Sequence, residues 1–319
     1  MERLPVLAVS ERRELTSPHE RVRELVDAFL SRRSIPTRRA YENALRDFAA
    51  FLGLSENDTI AAVGRLLTAG QGEAHVIALK YRTHLLGRKL SPATINQRLS
   101  ALRSAVKLAR LTGLVTWALE VEGEKVQTLR DTRGPGRAGY QLLLSSLGDR
   151  QKDARDRAIL RLLYDLALRR GEVAGLDLED VDLERPAVAV LGKGRTGKVL
   201  ITLPDETRDA LAAWLKVRGA APGALFPSMD RGGKAGGRMT GRGIYEVIRQ
   251  LGARQGLKVR PHGLRHAAIT EALNLTNGDT RKVQRFSRHL DPRTLLHYDD
   301  NREDMGGEVS RLVAGAAGR

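Results

Sequence analysis

Apolar residues recur every three or four positions through the first third of the chain, and this spacing predicts amphipathic helices. Two helices are predicted between residues 17 and 52. A third is predicted over residues 73–86, and a fourth from Ser91-Pro92 to about Gly113. Residues 17–118 are therefore predicted to form a small all-helical domain.

The apolar period fades between residues 119 and 137, where charges alternate and glycine and proline accumulate, and this composition predicts a linker. Beyond it, two β-rich runs at 187–191 and 199–203 flank a basic, glycine-rich segment and predict an antiparallel hairpin. Predicted helices surround the hairpin, so residues 138–305 should form a mainly helical α+β domain. These helices are expected near 140–147, 154–168, 206–217, 241–255, 264–273 and 280–286, with a last one that contains Tyr298.

The chain is strongly basic, with a formal charge of +16 and a pI of about 10.6. Residues 1–118 hold 19 basic and 11 acidic side chains, and residues 119–319 hold 35 and 27, so each part carries a net charge of about +8. Such an excess favours a polyanionic partner, and nucleic acid is the first candidate. On charge alone, a solubilising arginine-rich surface stays an alternative.

The absence of cysteine excludes disulfides, thiolate nucleophiles and cysteine-based metal sites. The apolar stretch at residues 4–9 is short and is followed at once by charged residues, unlike a signal peptide. No apolar run in the sequence has the length of a membrane span. We therefore expect a cytoplasmic protein without a membrane partner.

Four separated segments of the second predicted domain hold the residue types that a phosphoryl-transfer site needs. They are Ala167-Leu168-Arg169, Gly192-Lys193-Gly194, His262-Gly263-Leu264-Arg265, and His289 followed nine residues later by Tyr298. In this order, after a helical domain that contains the segment 91–103, they resemble the tyrosine recombinase (phage integrase) family over about residues 17–305. The resemblance implies a SAM-like helical core-binding domain and an α+β catalytic domain. It also implies site-specific cleavage and rejoining of DNA through a 3′-phosphotyrosine intermediate.

Carried over by position, the resemblance makes six residues catalytic: Arg169, Lys193, His262, Arg265, His289 and Tyr298. Two guanidiniums suit a phosphate under attack, because they donate bidentate hydrogen bonds and do not deprotonate. A tyrosine, with an ordinary pKa of about 10, needs cationic neighbours and a proton acceptor, either His262 or the phosphate itself. The resemblance assigns proton donation to the leaving 5′ oxygen to Lys193, with Lys198 as the alternative, and a hydrogen bond to the phosphate to His289.

Three positions depart from the usual pattern of the family. Ala167 and Arg288 stand where glycine is common, and Gly171 stands where a polar residue is common. None of the three removes a catalytic group. A glycine before the histidine commonly serves a tight turn, so Arg288 could alter how His289 enters the site.

The implied partner is double-stranded DNA with specific recombination sites, bound by a homo-tetramer on paired sites and thus associated with the nucleoid. Basic residues on and beside the fourth helix are the candidate DNA contacts: Arg88, Lys89, Arg98, Arg103, Lys107 and Arg110.

Residues 306–319 are predicted to be a tail that docks on a neighbouring subunit, because Met305, Val309, Leu312 and Val313 share one helical face. Docking on its own catalytic domain and a frayed terminus are the alternatives. No cofactor or metal ion is expected, since the phosphotyrosine bond conserves the energy of the cut strand.

Three other functions compete with this interpretation. A metal hydrolase could use His262, His266, His289 and Asp279 as ligands, but Arg169, Lys193 and Tyr298 would then have no role. A type IB topoisomerase shares the catalytic residue types, although the helical first domain favours a recombinase. A non-catalytic DNA-binding protein should have lost at least one of the six residues, and all are present. The sequence does not indicate a function for the glycine-rich loop at 229–238.

Overall fold

In the computed structural model, residues 17–125, 134–192, 194–229, 236–298 and 305–317 are described. The contacts divide the chain into two compact units, Met1–Arg130 and Asp131–Arg319. Each unit encloses its own cluster of buried apolar side chains. None of the helices in the described stretches combines the length and the apolar character needed to cross a membrane.

The first unit is all-helical. Its helices are α1 (Pro18–Ser31), α2 (Ile35–Phe51), α3 (Thr59–Thr68), α4 (Gly70–Gly87) and α5 (Pro92–Leu111). The four predicted helices are confirmed, and Ser17 forms the capping box of α1 with Glu20. Helix α3 was missed, although its residues Ala62, Val63, Leu66 and Leu67 are apolar at helical spacing and buried.

The boundary between the two units lies within the predicted linker, residues 119–137, but both ends of that segment pack on a unit. Leu119 and Val121 are buried in the core of the first unit, and the Asn96 side chain exchanges hydrogen bonds of 2.8 and 2.6 Å with the backbone of Glu124. At the other end, the first turn of α6 already begins at Gly136. The intervening residues 126–133 lie outside the described part of the chain. Because charged residues alternate in this segment, the sequence analysis did not recognise Leu119 and Val121 as core positions.

The second unit is mostly helical with one small sheet, as predicted. Its α-helices are α6 (Gly136–Ser145), α7 (Gln151–Tyr164), α8 (Arg170–Ala174), α9 (Asp205–Arg218), α10 (Gly241–Arg254), α11 (Pro261–Leu275), α12 (Thr280–Ser287) and α13 (Met305–Ala317). Two 3-10 helices cover Leu178–Asp180 and Pro292–Tyr298. The sheet is antiparallel in the order β1 (Val181–Asp182), β2 (Ala187–Leu191), β3 (Lys198–Thr202).

The predicted hairpin is formed by β2 and β3, in a register that opposes Val190 to Val199 and Leu191 to Lys198. Val188 and Val190 point into the core and alternate with more exposed residues, which is the period-2 burial expected of a strand with one covered face.

Candidate active site

Arg169 stands at the N-terminal end of α8, where Glu172 holds it in place. The Glu172 carboxylate accepts a hydrogen bond of 2.9 Å from the Arg169 backbone N–H and one of 2.7 Å from the Arg169 guanidinium. Burial favours a higher pKa for Glu172, but these hydrogen bonds and the charges of Arg288 and Arg169 lower its pKa below the ordinary value. Glu172 is therefore a carboxylate at neutral pH, and it fixes one end of the guanidinium.

Arg265 extends from α11 into the interior, with only 2% of its surface exposed. Its guanidinium donates to the carbonyl oxygens of Ala167 and, at 2.6 Å, of Ser287. Burial, followed by the charge of Arg169, lowers the pKa of Arg265 to about 10, so the group is still a cation at neutral pH. Within the described residues, no carboxylate forms an ion pair with Arg265. The site thus holds a buried cation whose partners are neutral.

His289 follows the turn at the end of α12 and contacts three other side chains. Its Nε2 lies 3.1 Å from a guanidinium nitrogen of Arg265 and 3.4 Å from the Tyr298 hydroxyl, and its Nδ1 lies 2.9 Å from the Ser287 hydroxyl. Burial, together with the charges of Arg265 and Arg169, lowers the pKa of His289 to about 4. Because Arg265 can only donate, we assign the Nε2 lone pair to this contact and the ring proton to Nδ1.

Tyr298 is the last residue of the second 3-10 helix and is 6% exposed. Its ring lies between His266 and His289, at centroid distances of 4.7 and 5.3 Å. The hydroxyl of Thr270 donates to the Tyr298 carbonyl at 2.9 Å and ties this residue to α11. The predicted helix around Tyr298 is therefore present, but in the tighter 3-10 form.

The two histidines of α11 have different surroundings. His262 lies in the first turn of α11 and is open to solvent on one side. Partial burial and then the charges of Arg265 and Arg169 lower its pKa. His266, one turn further on, is buried against the ring of Tyr298. The described residues thus unite Arg169, Arg265, His289 and Tyr298, with His262 beside the two arginines.

Lys193 lies outside the described residues. The flanking residue Gly192 and the nearby Arg195 line a cavity of about 250 Å³ together with Arg169, Arg288 and Thr294. Gly192 and Arg195 therefore share this cavity with Arg169. The alternative lysine, Lys198, has a carboxylate partner, because its ammonium lies 2.5 Å from Asp180, and this hydrogen bond raises the pKa of Lys198.

The hydrolase alternative needs a cluster of metal ligands. Within the described residues, no group of three or more histidine or acidic side chains is arranged to hold a metal ion. Asp279, which that alternative requires, instead accepts a hydrogen bond of 3.0 Å from the Lys282 backbone and caps α12.

Comparison with known proteins identifies the family. The sequence model of the phage integrase family matches residues 139–305. A tyrosine recombinase of Synechocystis sp. is 39% identical over 297 residues, which cover 91% of this chain and 94% of that protein. The chain belongs to the phage integrase family of tyrosine recombinases. It is accordingly a site-specific recombinase, an enzyme that acts on DNA.

Further tyrosine recombinases resemble the chain along most of its length. One from Synechococcus elongatus is 38% identical over 290 residues, or 88% of this chain and 90% of that one. Among solved structures, the XerH recombinase bound to a palindromic difH substrate in a post-cleavage complex gives a TM-score of 0.63 at 15% identity. The match covers 93% of this chain and 98% of that one. At this identity the likeness shows a shared recombinase fold.

The candidate DNA contacts in the helical unit of this recombinase fall into two groups. Arg88 and Arg98 each donate to Asp47 at 2.6 Å, and Arg103 donates to a backbone carbonyl. The other three, Lys89, Lys107 and Arg110, are exposed.

Lys107 also lines a groove of about 500 Å³ between α1 and α5, which contains Arg32 and Arg33. The sequence analysis did not single out these two arginines. The signal was available, because they form a basic pair directly after the first predicted helix.

Proposed function

We propose that this recombinase cleaves DNA by attack of the Tyr298 hydroxyl on a backbone phosphate, which forms a 3′-phosphotyrosine bond and releases a 5′ hydroxyl. Reversal of the step with a different 5′ hydroxyl rejoins the strand, so neither water nor a nucleotide cofactor takes part. The observation that carries the proposal is the buried guanidinium of Arg265, which has no carboxylate partner among the described residues. A buried charge is costly unless it is paired, and a phosphate would supply the missing negative charge.

The two arginines would bind the phosphate oxygens. Arg169 and Arg265 both donate through planar guanidiniums, which match the geometry of a phosphate and gain strength as its negative charge grows in the transition state. Glu172 and the Ala167 carbonyl keep the two groups in fixed positions before DNA arrives. Such preorganised donors cost no rearrangement at the moment of reaction.

The proton of Tyr298 needs an acceptor, and two neutral histidines are candidates. The lowered pKa values of His262 and His289 leave both imidazoles able to accept or share a proton at neutral pH. His289 lies nearest the Tyr298 hydroxyl, at 3.4 Å. In our proposal His262 or the phosphate takes the proton, and His289 donates a hydrogen bond to the phosphate from Nε2, which requires the opposite tautomer to the one assigned in the DNA-free protein. Lys193, from the hairpin tip, donates a proton to the leaving 5′ oxygen.

Both units should contact duplex DNA. The exposed cations Lys89, Lys107 and Arg110 support a phosphate-binding surface on the helical unit. Arg88, Arg98 and Arg103 would contribute to it from positions already held by protein partners. Binding through phosphates releases counterions and weakens steeply with salt. Recognition of a particular recombination site would add base contacts to this surface.

Recombination between two duplexes requires four cleavage sites, and we propose a homo-tetramer assembled on paired DNA sites. Helix α13 supports this, because Val309, Leu312 and Val313 are 58–73% exposed on it. We propose that this face docks on a neighbouring subunit. Deletion of residues 305–319 should leave binding to a single site intact and abolish the paired complex in a gel-shift assay. Wild-type recombination by the truncated protein would contradict docking in trans.

The proposed chemistry can be tested with a pool of nicked duplexes of random sequence, in which cleavage next to the nick traps the enzyme. Denaturing gels should show a covalent protein–DNA complex with the wild type, in the presence of EDTA, and none with Tyr298→Phe. Sequencing of the trapped DNA would give the target. Cleavage that stops in EDTA would favour a metal hydrolase, and relaxation of plasmids without strand exchange would favour a topoisomerase.

A further inference from the structure

Arg288 has a backbone conformation that side chains other than glycine rarely adopt. It follows α12 with φ of 57° and ψ of 33°, in the left-handed region. Among the described residues, three other non-glycine residues have positive φ: Lys89, Ala167 and Asn277. Arg288 and Ala167 are in direct contact, although 121 positions separate them in the chain. Two strained turns therefore meet at the catalytic residues.

The side chain of Arg288 has a set of contacts that explains why an arginine occupies this turn. Its two terminal nitrogens donate to the carbonyls of Leu166 and Phe286, both at 3.0 Å, and of Ala167 at 3.1 Å. A fourth bond of 3.3 Å reaches the Glu172 carboxylate. Only 12% of the side chain is exposed. One guanidinium thus fastens the end of α12 to the α7–α8 turn and to the first turn of α8.

The partners of Arg288 are the groups that fix the two candidate phosphate-binding arginines. The Ala167 carbonyl also accepts from Arg265, and the Glu172 carboxylate also accepts from Arg169. The residue after Arg288 is His289, whose Nε2 lies 3.1 Å from Arg265. A shift of the turn at Arg288 would therefore move His289, and loss of its side chain would free Ala167 and Glu172.

We propose, on the basis of the proposed cleavage function, that Arg288 is a positioning residue that locks Arg169, Arg265 and His289 into one arrangement through Ala167 and Glu172. Its two terminal nitrogens donate four hydrogen bonds to protein acceptors, and its buried Nε has no partner among the described residues, so we infer that it acts through its neighbours. The left-handed turn gives the side chain the direction that it needs to reach the α7–α8 turn. A glycine would adopt the same turn with less strain but without the bridge.

The test compares Arg288→Gly, Arg288→Lys and a matched control, Asn277→Gly. Asn277 is exposed and has φ of 50°, so its replacement relieves a left-handed residue without touching the site. The rate of covalent-adduct formation and the DNA affinity are measured on nicked duplexes with which the wild type forms a covalent complex. The pKa of His289 is followed by NMR of labelled histidine in DNA-free protein, which does not depend on cleavage.

We expect Arg288→Gly to slow adduct formation by about 100-fold, the size of effect that a small misplacement of reacting groups causes. DNA affinity should change less than about threefold, because Arg288 contacts protein rather than DNA. The pKa of His289 should rise from about 4 towards its ordinary value, since a cation and the packing around the ring are lost. Asn277→Gly should match the wild type in all three measurements.

Arg288→Lys keeps the charge but cannot reach four acceptors at once, so we expect slow adduct formation with a smaller change in the His289 pKa. It also tests the proposal if the glycine variant does not fold. A folded lysine or glycine variant with the wild-type adduct rate and an unchanged His289 pKa would overturn the role of Arg288. Absence of any adduct from the wild type would instead refute the cleavage function, and the His289 pKa of the variants would still decide whether Arg288 holds the turn.

Discussion

The two units of this recombinase each gather arginines around one carboxylate, but they balance the charge differently. In the helical unit, Asp47 accepts from Arg88 and Arg98 at 2.6 Å and from the Tyr81 hydroxyl at 2.7 Å. In the second unit, the single carboxylate of Glu172 bonds Arg169 and Arg288. Arg265, the most buried arginine of that group, bonds two carbonyls and an imidazole.

Under the proposed function, the contrast is between arginines that stabilise a fold and arginines that bind a phosphate. Around Asp47, burial favours a higher pKa, but the hydrogen bonds from Arg88 and Tyr81 and the charge of Arg98 outweigh it and lower the pKa of the carboxyl. Around Arg265, burial and neighbouring cations disfavour the charge, and its pKa falls to about 10. Burying a cation without a paired carboxylate costs free energy, and such an arrangement is typical of a binding site for a negative group.

The comparison predicts its largest effect at Arg265. Arg265→Ala should slow formation of the covalent DNA adduct by about 1000-fold, because a preorganised donor to the transition state is lost. Arg98→Ala, the matched change in the helical unit, should leave the adduct rate within about threefold on saturating DNA. Rates on a trapped nicked duplex decide the matter. Equal losses in the two variants would remove the distinction between the units.

The helical unit should respond to loss of its carboxylate. Asp47→Asn leaves Arg88 and Arg98 without a counter-charge and should destabilise this unit by about 2 kcal/mol. Hydrogen exchange of peptides from α2 and α5 measures the effect in the full chain. Glu56→Gln, a change at an exposed acid of the same unit, is the control. Protection equal to that of the control would show that the Asp47 cluster does not stabilise the helices.

Exposed cations of the helical unit should affect DNA affinity rather than folding. A double replacement, Lys107→Gln with Arg110→Gln, should weaken binding to duplex DNA by about tenfold and reduce the salt dependence by about two counterions. Titrations at several salt concentrations give both values. Arg38→Gln removes an arginine that is paired with Glu42 and serves as the control. An unchanged salt dependence in the double variant would place the DNA elsewhere.

The smallest effect concerns the pH dependence of stability in the DNA-free protein. The pKa of His289 is about 4 in the folded chain and about 6.5 when unfolded, so the unfolded state gains a proton first as the pH falls. Stability should therefore decrease from pH 7 to pH 5, and His289→Asn should reduce that decrease by about 1 kcal/mol after solvent screening. Thermal unfolding at the two pH values measures it, with His19→Asn as control. Equal pH dependence in wild type and variant would contradict a neutral His289.

Most of the secondary structure could be predicted because its signals are local. The hairpin strands lie within one residue of their predicted bounds, because each is a short, β-rich apolar run close to a glycine at one end and a proline at the other. Helix α8 and strand β1 were missed because five and two residues are too few to show a period. The 3-10 form of the helix at Tyr298 was also beyond the sequence, because the tie from Thr270 comes from another element.

The catalytic candidates were predicted from the family resemblance of four short segments. The hydrogen-bond partners that surround them could not be predicted from that resemblance. The contact between Arg288 and Glu172 joins positions 116 residues apart, and nothing local to either residue indicates it. The same holds for Arg98, whose partner Asp47 lies 51 positions away. The sequence shows which residues are charged, whereas pairing across the fold decides which charges stay free for DNA.

The central claim is that Tyr298 becomes covalently joined to DNA. The most direct measurement traps the adduct on a nicked duplex, digests the DNA with nuclease and the protein with protease, and identifies the modified peptide by mass spectrometry. We predict a single modified peptide that contains residue 298, with a nucleotide attached through its 3′ phosphate to the tyrosine oxygen. A nucleotide on any other residue, or an adduct that Tyr298→Phe forms at the wild-type rate, would contradict the account.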